Sequence, residues 1–145
     1  MTMSVYLSGP MRGIPNGNRP AFEAAAARLR KLGYLVWSPI EHDDVTGVDA
    51  GAELSPKDLK RSMTWDQRRV MDADIVVFLP GWRASRGAKA EFLTAWYQDK
   101  LCYCGLFTSL GFRLVPMPDY DEPLVTLNRS SPSAFLTFQP LTSPL

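Results

Sequence analysis

The stretch DIVVFLPGW, from Asp74 to Trp82, is the part of the chain that decides the fold. Its five consecutive apolar residues, numbers 75–79, lack the polar alternation of a strand with one solvent-exposed face. Such a run is typical of a parallel strand that is buried on both faces. Pro80 and Gly81 then end the run and turn the chain away from the sheet edge. The stretch therefore predicts the central strand of a parallel sheet.

Helices are predicted on both sides of this strand. The preceding segment, SPKDLKRSMTWDQRRVMDA, offers Ser55 as a helix cap and Pro56 in the first turn, and its helix is expected to run to about Met71. The following segment, RGAKAEFLTAWYQDK (residues 86–100), predicts another helix. LCYCGLF (residues 101–107) predicts the next strand.

The start of the chain shows the same alternation of strand and helix. SVYLSG (residues 4–9) and YLVWSP (residues 34–39) predict strands, and the apolar spacing in PAFEAAAARLRKLG (residues 20–33) predicts a helix between them. A unit of this kind makes a right-handed crossover between parallel neighbours. The whole pattern predicts an α/β fold with a doubly wound, mostly parallel sheet, in the class of Rossmann-like or flavodoxin-like three-layer sandwiches.

Two segments show no periodic pattern. The polar segment Ile40–Pro56 is predicted to be a long loop. From Pro116 onward, six of thirty residues are proline and serine and threonine are frequent, which predicts an extended C-terminal arm or tail. The expected organisation is one α/β domain over residues 1–115 followed by the arm over residues 116–145.

The composition excludes several kinds of partner. The chain has 145 residues, of which 46% are hydrophobic and 21% are charged, as in ordinary soluble domains. Its net charge of +1 and its scattered cations predict no nucleic-acid partner. No apolar stretch approaches the roughly 20 residues of a membrane helix, and the N-terminus shows no signal-peptide pattern. We therefore expect a cytoplasmic protein without a membrane partner.

The cysteines and the histidine do not indicate a metal site. Cys102 and Cys104 have a same-strand spacing that makes a poor disulfide, so they are predicted to be reduced thiols. His42 precedes Asp43 and Asp44, but a polar loop produces such triplets by chance. The sequence therefore predicts no metal site.

Ligands of doubly wound sheets bind beyond the carboxyl ends of the strands. The corresponding rim contains residues 9–17, residues 80–87 and the start of the helix that follows. In the loop GPMRG, Gly9 and Gly13 allow close backbone approach, and Arg12 suits an anion. The same residues also describe a proline–glycine turn with a solvated arginine, and that alternative stays open.

The motif SRGAKAE on the same rim begins with Ser85, which is placed to cap a helix, and ends with Glu91. Glu91 has no cation three or four residues away, and its small neighbours leave room for a ligand. A solvated surface glutamate is the alternative. Tyr6 is compatible with core packing and Asp66 with a surface position. Asp74, at the wrong end of its strand for chemistry, is predicted to be structural.

Taken together, these residues make the chain resemble the nucleoside 2-deoxyribosyltransferase superfamily over roughly residues 4–101. The matching motifs are YLSGPMRG at Tyr6–Gly13, Asp66 followed by Ala73-Asp74, and SRGAKAE at Ser85–Glu91. The chain is most similar to the branch that hydrolyses nucleoside 5′-monophosphates at the N-glycosidic bond. It is also similar to short phage-type members without an assigned function.

The resemblance implies a role for each matched residue. Glu91 falls on the nucleophile that attacks the anomeric carbon, Tyr6 on the tyrosine that orients it, and Asp66 on the aspartate that assists departure of the base. Ser85 stands where transferases carry an aspartate that meets the sugar hydroxyl, and where monophosphate hydrolases carry a serine that meets the phosphate. A hydroxyl donates to phosphate, whereas a carboxylate repels it. The implied phosphate-binding set is Gly9, Pro10, Met11, Arg12, Gly13, Ser85 and Gly87.

The resemblance also implies a homodimer or a larger homo-oligomer. In the family, a residue of a neighbouring subunit often completes the pocket, and Asn128, Ser130 and Ser131 are the candidates here. The predicted activity is hydrolysis of a nucleoside monophosphate to free base and sugar phosphate, without a cofactor. The alternatives are a base-exchanging deoxyribosyltransferase and a non-catalytic nucleotide-binding protein. The sequence carries no readable signature for the base or for the sugar.

Overall fold

Five strands form one sheet at the centre of the protein, in a computed structural model that describes residues 2–117, 125–127 and 136–138. The strands of this sheet are β1 (Ser4–Ser8), β2 (Leu35–Trp37), β3 (Ile75–Phe78), β4 (Leu101–Thr108) and β5 (Gly111–Pro116). The helices are α1 (Arg19–Lys31), α2 (Pro39–Thr46), α3 (Pro56–Asp72) and α4 (Arg86–Tyr97), with short 3-10 turns at Pro15–Asn18 and Trp82–Ala84. Two further strands, β6 (Val125–Leu127) and β7 (Leu136–Phe138), pair with each other in antiparallel fashion. Asn128, Ser130 and Ser131 lie outside the described residues.

The strand order is β2-β1-β3-β4-β5, and only β5 runs antiparallel to its neighbour in this sheet. The prediction of an α/β fold with a mostly parallel sheet is therefore confirmed. All four residues of β3 are buried, as its continuous apolar run predicts. The order reverses direction between β1 and β3, and ligands of doubly wound sheets bind at such a switch point.

Alternate residues of β1 point to opposite faces of the sheet and so belong to two different cores. Val5 and Leu7 pack with Phe22 of α1 in the first core. Tyr6 packs with residues of α3 and α4, among them Phe92, in the second core. Any chemistry at Tyr6 is therefore placed on the α3–α4 side of the sheet.

Part of the predicted long loop is helical, so that prediction was wrong for α2. Pro39 opens this helix after Ser38, and Gly47 ends it with a φ of 75°. The buried positions of α2 include Ile40 and Asp43. Because the Asp43 carboxylate occupies a core-facing position, the sequence lacks the apolar periodicity that predicts a helix.

The amino-terminal edge of the sheet is held by a reciprocal set of hydrogen bonds. The Asp74 carboxylate accepts from Ser4 N at 2.8 Å and from Ser4 Oγ at 3.0 Å, and Asp74 N donates to Ser4 Oγ at 3.0 Å. These bonds tie β1 to β3 and confirm a structural role for Asp74.

Cys102 and Cys104 are both free. Among the described residues, no helix has the length and apolar character needed to cross a membrane.

Gly17, which lies just before α1, has no room for a side chain. Its φ is +64°, and an added Cβ would lie 2.5 Å from Ala50 Cβ and 2.7 Å from Ala50 C. We expect Gly17→Ala to lower the free energy of unfolding by about 3 kcal/mol, because backbone strain and steric overlap add. Gly47→Ala is the matched control, since Gly47 has a φ of +75° and open space around it. Equal losses in the two variants, measured by urea unfolding, would refute the steric part of this prediction.

Candidate active site

Glu91 lies on the core-facing side of α4. The buried positions of this helix are Ala88, Glu91, Phe92 and Ala95, which have the spacing of one helical face. Glu91 is only 6% exposed. A carboxylate has therefore replaced an apolar residue in the core pattern, and the alternative of a solvated surface glutamate is excluded.

The partner of this carboxylate is Tyr6 on β1. The Tyr6 hydroxyl donates to Glu91 Oε1 at 3.2 Å, and the tyrosine side chain is completely buried. Burial is the main cause that raises the pKa of Tyr6, and the nearby carboxylates Asp66 and Glu91 raise it further. The hydroxyl therefore stays protonated and serves as a fixed donor to Glu91.

Asp66 brings a second carboxylate to the same cluster from α3. Burial raises its pKa from the usual 3.8 to about 7, although Tyr6 and Arg12 oppose the shift. The pKa of Glu91 is also raised, first by burial and then by the charge of Asp66. Two carboxyl groups in one buried site resist joint ionisation, so near neutral pH the pair retains a proton.

Ser8 belongs to the cluster although it is not among the predicted site residues. It lies two residues after Tyr6 on β1, which places both side chains on the same face of the sheet. Ser8 is completely buried, and its hydroxyl is close enough to Glu91 to lower the pKa of that carboxyl group. Neither Ser8 Oγ nor Glu91 Oε2 makes a regular hydrogen bond with any described residue. Ser8 Oγ and Glu91 Oε2 are thus two buried polar atoms of the same cluster that have no hydrogen-bond partner among the described residues.

Ser85 caps the first turn of α4. Its Oγ accepts a hydrogen bond from Ala88 N at 3.2 Å, which leaves the hydroxyl hydrogen available to a ligand. Gly87 in the same turn has open space around it, since an added Cβ would meet only Ser85 Oγ at 3.9 Å. The first turn contains no acidic residue. This helix start has the donors and the positive dipole end that suit an anion.

The loop after β1 packs against the loop after β3. An added Cβ on Gly9 would lie 3.0 Å from Leu79 Cβ, and one on Gly81 would lie 3.5 Å from Pro10 Cγ. Met11 is partly buried against the first core. These contacts bring the GPMRG loop to the same rim as the start of α4.

Arg12 is engaged within the protein. Its guanidinium forms an ion pair with the buried Asp43 carboxylate at 3.0 Å and donates to Asp49 O at 3.1 Å and Ala50 O at 2.5 Å. Gly13 N donates to Gly51 O at 3.3 Å, and this bond also joins the loop after β1 to the segment after α2. In this arrangement Arg12 is not fully solvated, and its contacts fasten the loop after β1 to residues 43–50.

His42 takes part in an aromatic stack. Its imidazole lies 4.2 Å from the Trp65 ring, with an angle of 5° between the planes. Within residues 2–117 and the two short strands beyond them, no group of three or more possible ligands is arranged to hold a metal ion.

Fold and site together define an α/β protein of the doubly wound class in which the buried Glu91 and the partly buried Asp66 share a cluster with Tyr6 of β1. The family described as Domain of unknown function (DUF4406) matches residues 3–101. Because the match spans more than half of the 145 residues, the chain belongs to this family. The matched region includes Tyr6, Ser8, Asp66, Ser85 and Glu91. No curated protein matches the chain at a significant level.

The raised pKa of Asp66 predicts a specific dependence of stability on pH. The folded protein holds the Asp66 proton more tightly than the unfolded chain does, so stability falls as the pH rises from about 4 to about 7. We expect Asp66→Asn to lose less unfolding free energy than the wild type over this interval, because an amide does not ionise. Urea unfolding at a series of pH values measures the two slopes.

Asp72→Asn is the control for this experiment, because Asp72 lies on the same helix with a half-exposed side chain. It should keep the slope of the wild type. If Asp66→Asn showed the same change of unfolding free energy with pH as the wild type, the raised pKa of Asp66 would be contradicted.

Proposed function

We propose that the protein hydrolyses the N-glycosidic bond of a nucleoside 5′-monophosphate and releases the free base and a sugar 5-phosphate. The observation that carries this proposal is the buried Glu91 carboxylate, held by the Tyr6 hydroxyl beside Asp66. A paired nucleophile and acid of this kind suits the oxocarbenium-like transition state of glycoside cleavage. The resemblance to the nucleoside 2-deoxyribosyltransferase superfamily supports the same assignment.

The reaction is a double displacement. A Glu91 oxygen forms a bond to the anomeric carbon while the bond from that carbon to the base nitrogen breaks, and the bonding electron pair leaves with the base. Asp66 transfers its proton to the departing base. Water then attacks the anomeric carbon, the glycosyl ester bond breaks and Glu91 regains its carboxylate, while Asp66 takes up the proton released by the water.

The required proton distribution has one proton on Asp66 and a charge on Glu91. The neighbouring Ser8 hydroxyl and the Tyr6 hydroxyl, which donates to Glu91 Oε1, both favour the ionised form of Glu91. Asp66, with a pKa of about 7, retains its proton over much of the neutral range. Burial raises the pKa of both groups, so the proposal assigns this distribution, with the charge on Glu91, to the complex with substrate.

The phosphate is assigned to the start of α4. Ser85 donates its free hydroxyl hydrogen, and the backbone amides of Arg86 and Gly87 belong to the first helical turn, where the dipole favours an anion. Arg86 is exposed and adds a cation at this position. Arg12 supports the site indirectly, because it fixes the GPMRG loop against Asp43.

Glu91→Gln tests the nucleophile. It removes the charge and keeps the size of the side chain, so base release should fall at least about a thousandfold, equivalent to about 4 kcal/mol of barrier. The purified variant is incubated with the common ribo- and deoxyribonucleoside monophosphates, and free bases are measured by chromatography. Glu53→Gln, at an exposed glutamate, is the control and should retain wild-type rates.

The same assay distinguishes the alternative functions. A new nucleoside or nucleotide formed after addition of a second free base would identify a base-exchanging transferase. Saturable nucleotide binding by the wild type without release of any base would identify a binding protein. Unchanged base release by Glu91→Gln would reject the proposed nucleophile.

Ser85→Asp tests the phosphate assignment. Aspartate is also a good helix cap, so α4 should remain intact, but its carboxylate repels the phosphate. We expect kcat/KM for the monophosphate to fall about a hundredfold, which corresponds to about 2.7 kcal/mol. The value for the corresponding nucleoside should stay within about threefold of the wild type. An equal loss on both substrates would place Ser85 away from the phosphate.

A further inference from the structure

A second concave site lies along α3, and neither Asp66 nor Glu91 lines it. It has a volume of about 440 Å³ and is lined by Lys57, Lys60, Arg61, Thr64, Trp65 and Arg68 of α3, together with His42 of α2. The α3 positions follow the spacing of one helical face. We call this site the basic groove.

The charge of the groove contrasts with that of the chain. Four cations lie within twelve residues of a protein whose net charge is +1. Arg61 pairs with Asp58 at 3.2 Å, and Arg68 has Asp72 only at 3.9 Å. The side chains of Lys57 and Lys60 have no ion-pair partner in the part of the chain that the structure describes. The groove therefore keeps an excess of positive charge that no described carboxylate neutralises.

The Trp65 ring, which forms one wall of the groove, is already stacked. The His42 imidazole lies flat on the Trp65 ring at 4.2 Å, and the Arg69 guanidinium lies over the same ring at 5.5 Å. Trp65 is therefore not presented as a free platform for a base. His42 Nε2 has no hydrogen-bond partner among the described residues. That nitrogen is itself buried, so the charge of the groove comes from the lysine and arginine side chains along α3, and these suit anionic groups.

We propose that the basic groove binds a ligand that carries a chain of phosphate groups, such as the polyphosphate of a nucleoside di- or triphosphate. Lys57, Lys60 and Arg61 fall within about one helical turn, so their charges converge on one place. Adjacent phosphates carry several negative charges within a few ångströms and match this density, whereas carboxylates along a peptide are spread more widely. The site is distinct from the one assigned to the substrate and does not depend on the proposed function.

The groove is structurally connected to the carboxylate cluster. Trp65 is a wall of the groove, and its ring centroid lies 6.3 Å from that of Tyr6. The residue that follows Trp65 is Asp66, so one turn of α3 serves both places. Trp65 is therefore a natural reporter, because a ligand in the groove changes the environment of its indole.

The test is a titration of the full-length protein with inorganic tripolyphosphate at fixed ionic strength, followed by tryptophan fluorescence and calorimetry. We expect saturable binding by the wild type, and binding at least about tenfold weaker in Lys57→Gln/Lys60→Gln, because two phosphate contacts are lost. The matched control is Arg28→Gln/Lys31→Gln on α1, which removes the same charge from another exposed surface. It should bind within about twofold of the wild type. All four substituted side chains are exposed, and circular dichroism verifies that both variants are folded.

Three results would overturn the proposal. The first is an absence of saturable binding by the wild type. The second is an equal weakening in both double variants, which would indicate a general effect of net charge. The third is a single-stranded oligonucleotide that binds at least about tenfold more tightly than tripolyphosphate and loses its binding in Lys57→Gln/Lys60→Gln, which would assign the groove to nucleic acid.

Discussion

The hydrogen bond from the Tyr6 hydroxyl to the Glu91 carboxylate is the interaction on which the rest of the site depends. A carboxylate on the core-facing side of a helix is costly unless donors compensate it. The compensation comes from β1, because the parallel pairing of β1 with β3 sets Tyr6 on the face that α4 covers. Fold and chemistry are thus linked: the strand register that buries Tyr6 is the one that delivers its hydroxyl to Glu91.

The ion pair between Arg12 and Asp43 plays the supporting part at the rim. Asp43 is almost completely buried, and burial raises its pKa, a shift that the Arg12 guanidinium offsets only in part. Removal of one partner from such a pair leaves a buried charge without compensation. The pair joins the loop after β1 to α2, and its charges also act on Asp66. The ion pair thus fixes the position of the GPMRG loop at the carboxyl ends of the strands.

The sequence predicts most of this fold and only part of its site. The apolar run that became β3 and the periodic segments that became α1, α3 and α4 were found because burial repeats at the period of each element. α2 and β5 were missed, since Asp43 interrupts the apolar pattern of one and the other is an exposed edge strand. The burial of Glu91 could not be predicted, because it depends on a contact with Tyr6, which is distant in sequence. The partners of Arg12 could not be predicted either, because they lie more than thirty residues further along the chain. Ser8 could have been found from the alternation that places it on the same face as Tyr6.

The reciprocal hydrogen bonds between Ser4 and Asp74 sit at the opposite edge of the sheet from the carboxylate pair. These bonds join β1 and β3 at the amino-terminal ends of the strands, whereas the loops assigned to a ligand follow the carboxyl ends. Loops that extend from a rigid scaffold accept changes in length and composition more readily than the elements they connect. The protein is consequently a suitable starting point for engineering, since its ligand-facing segments can be exchanged while the clamp that aligns β1 with β3 stays untouched.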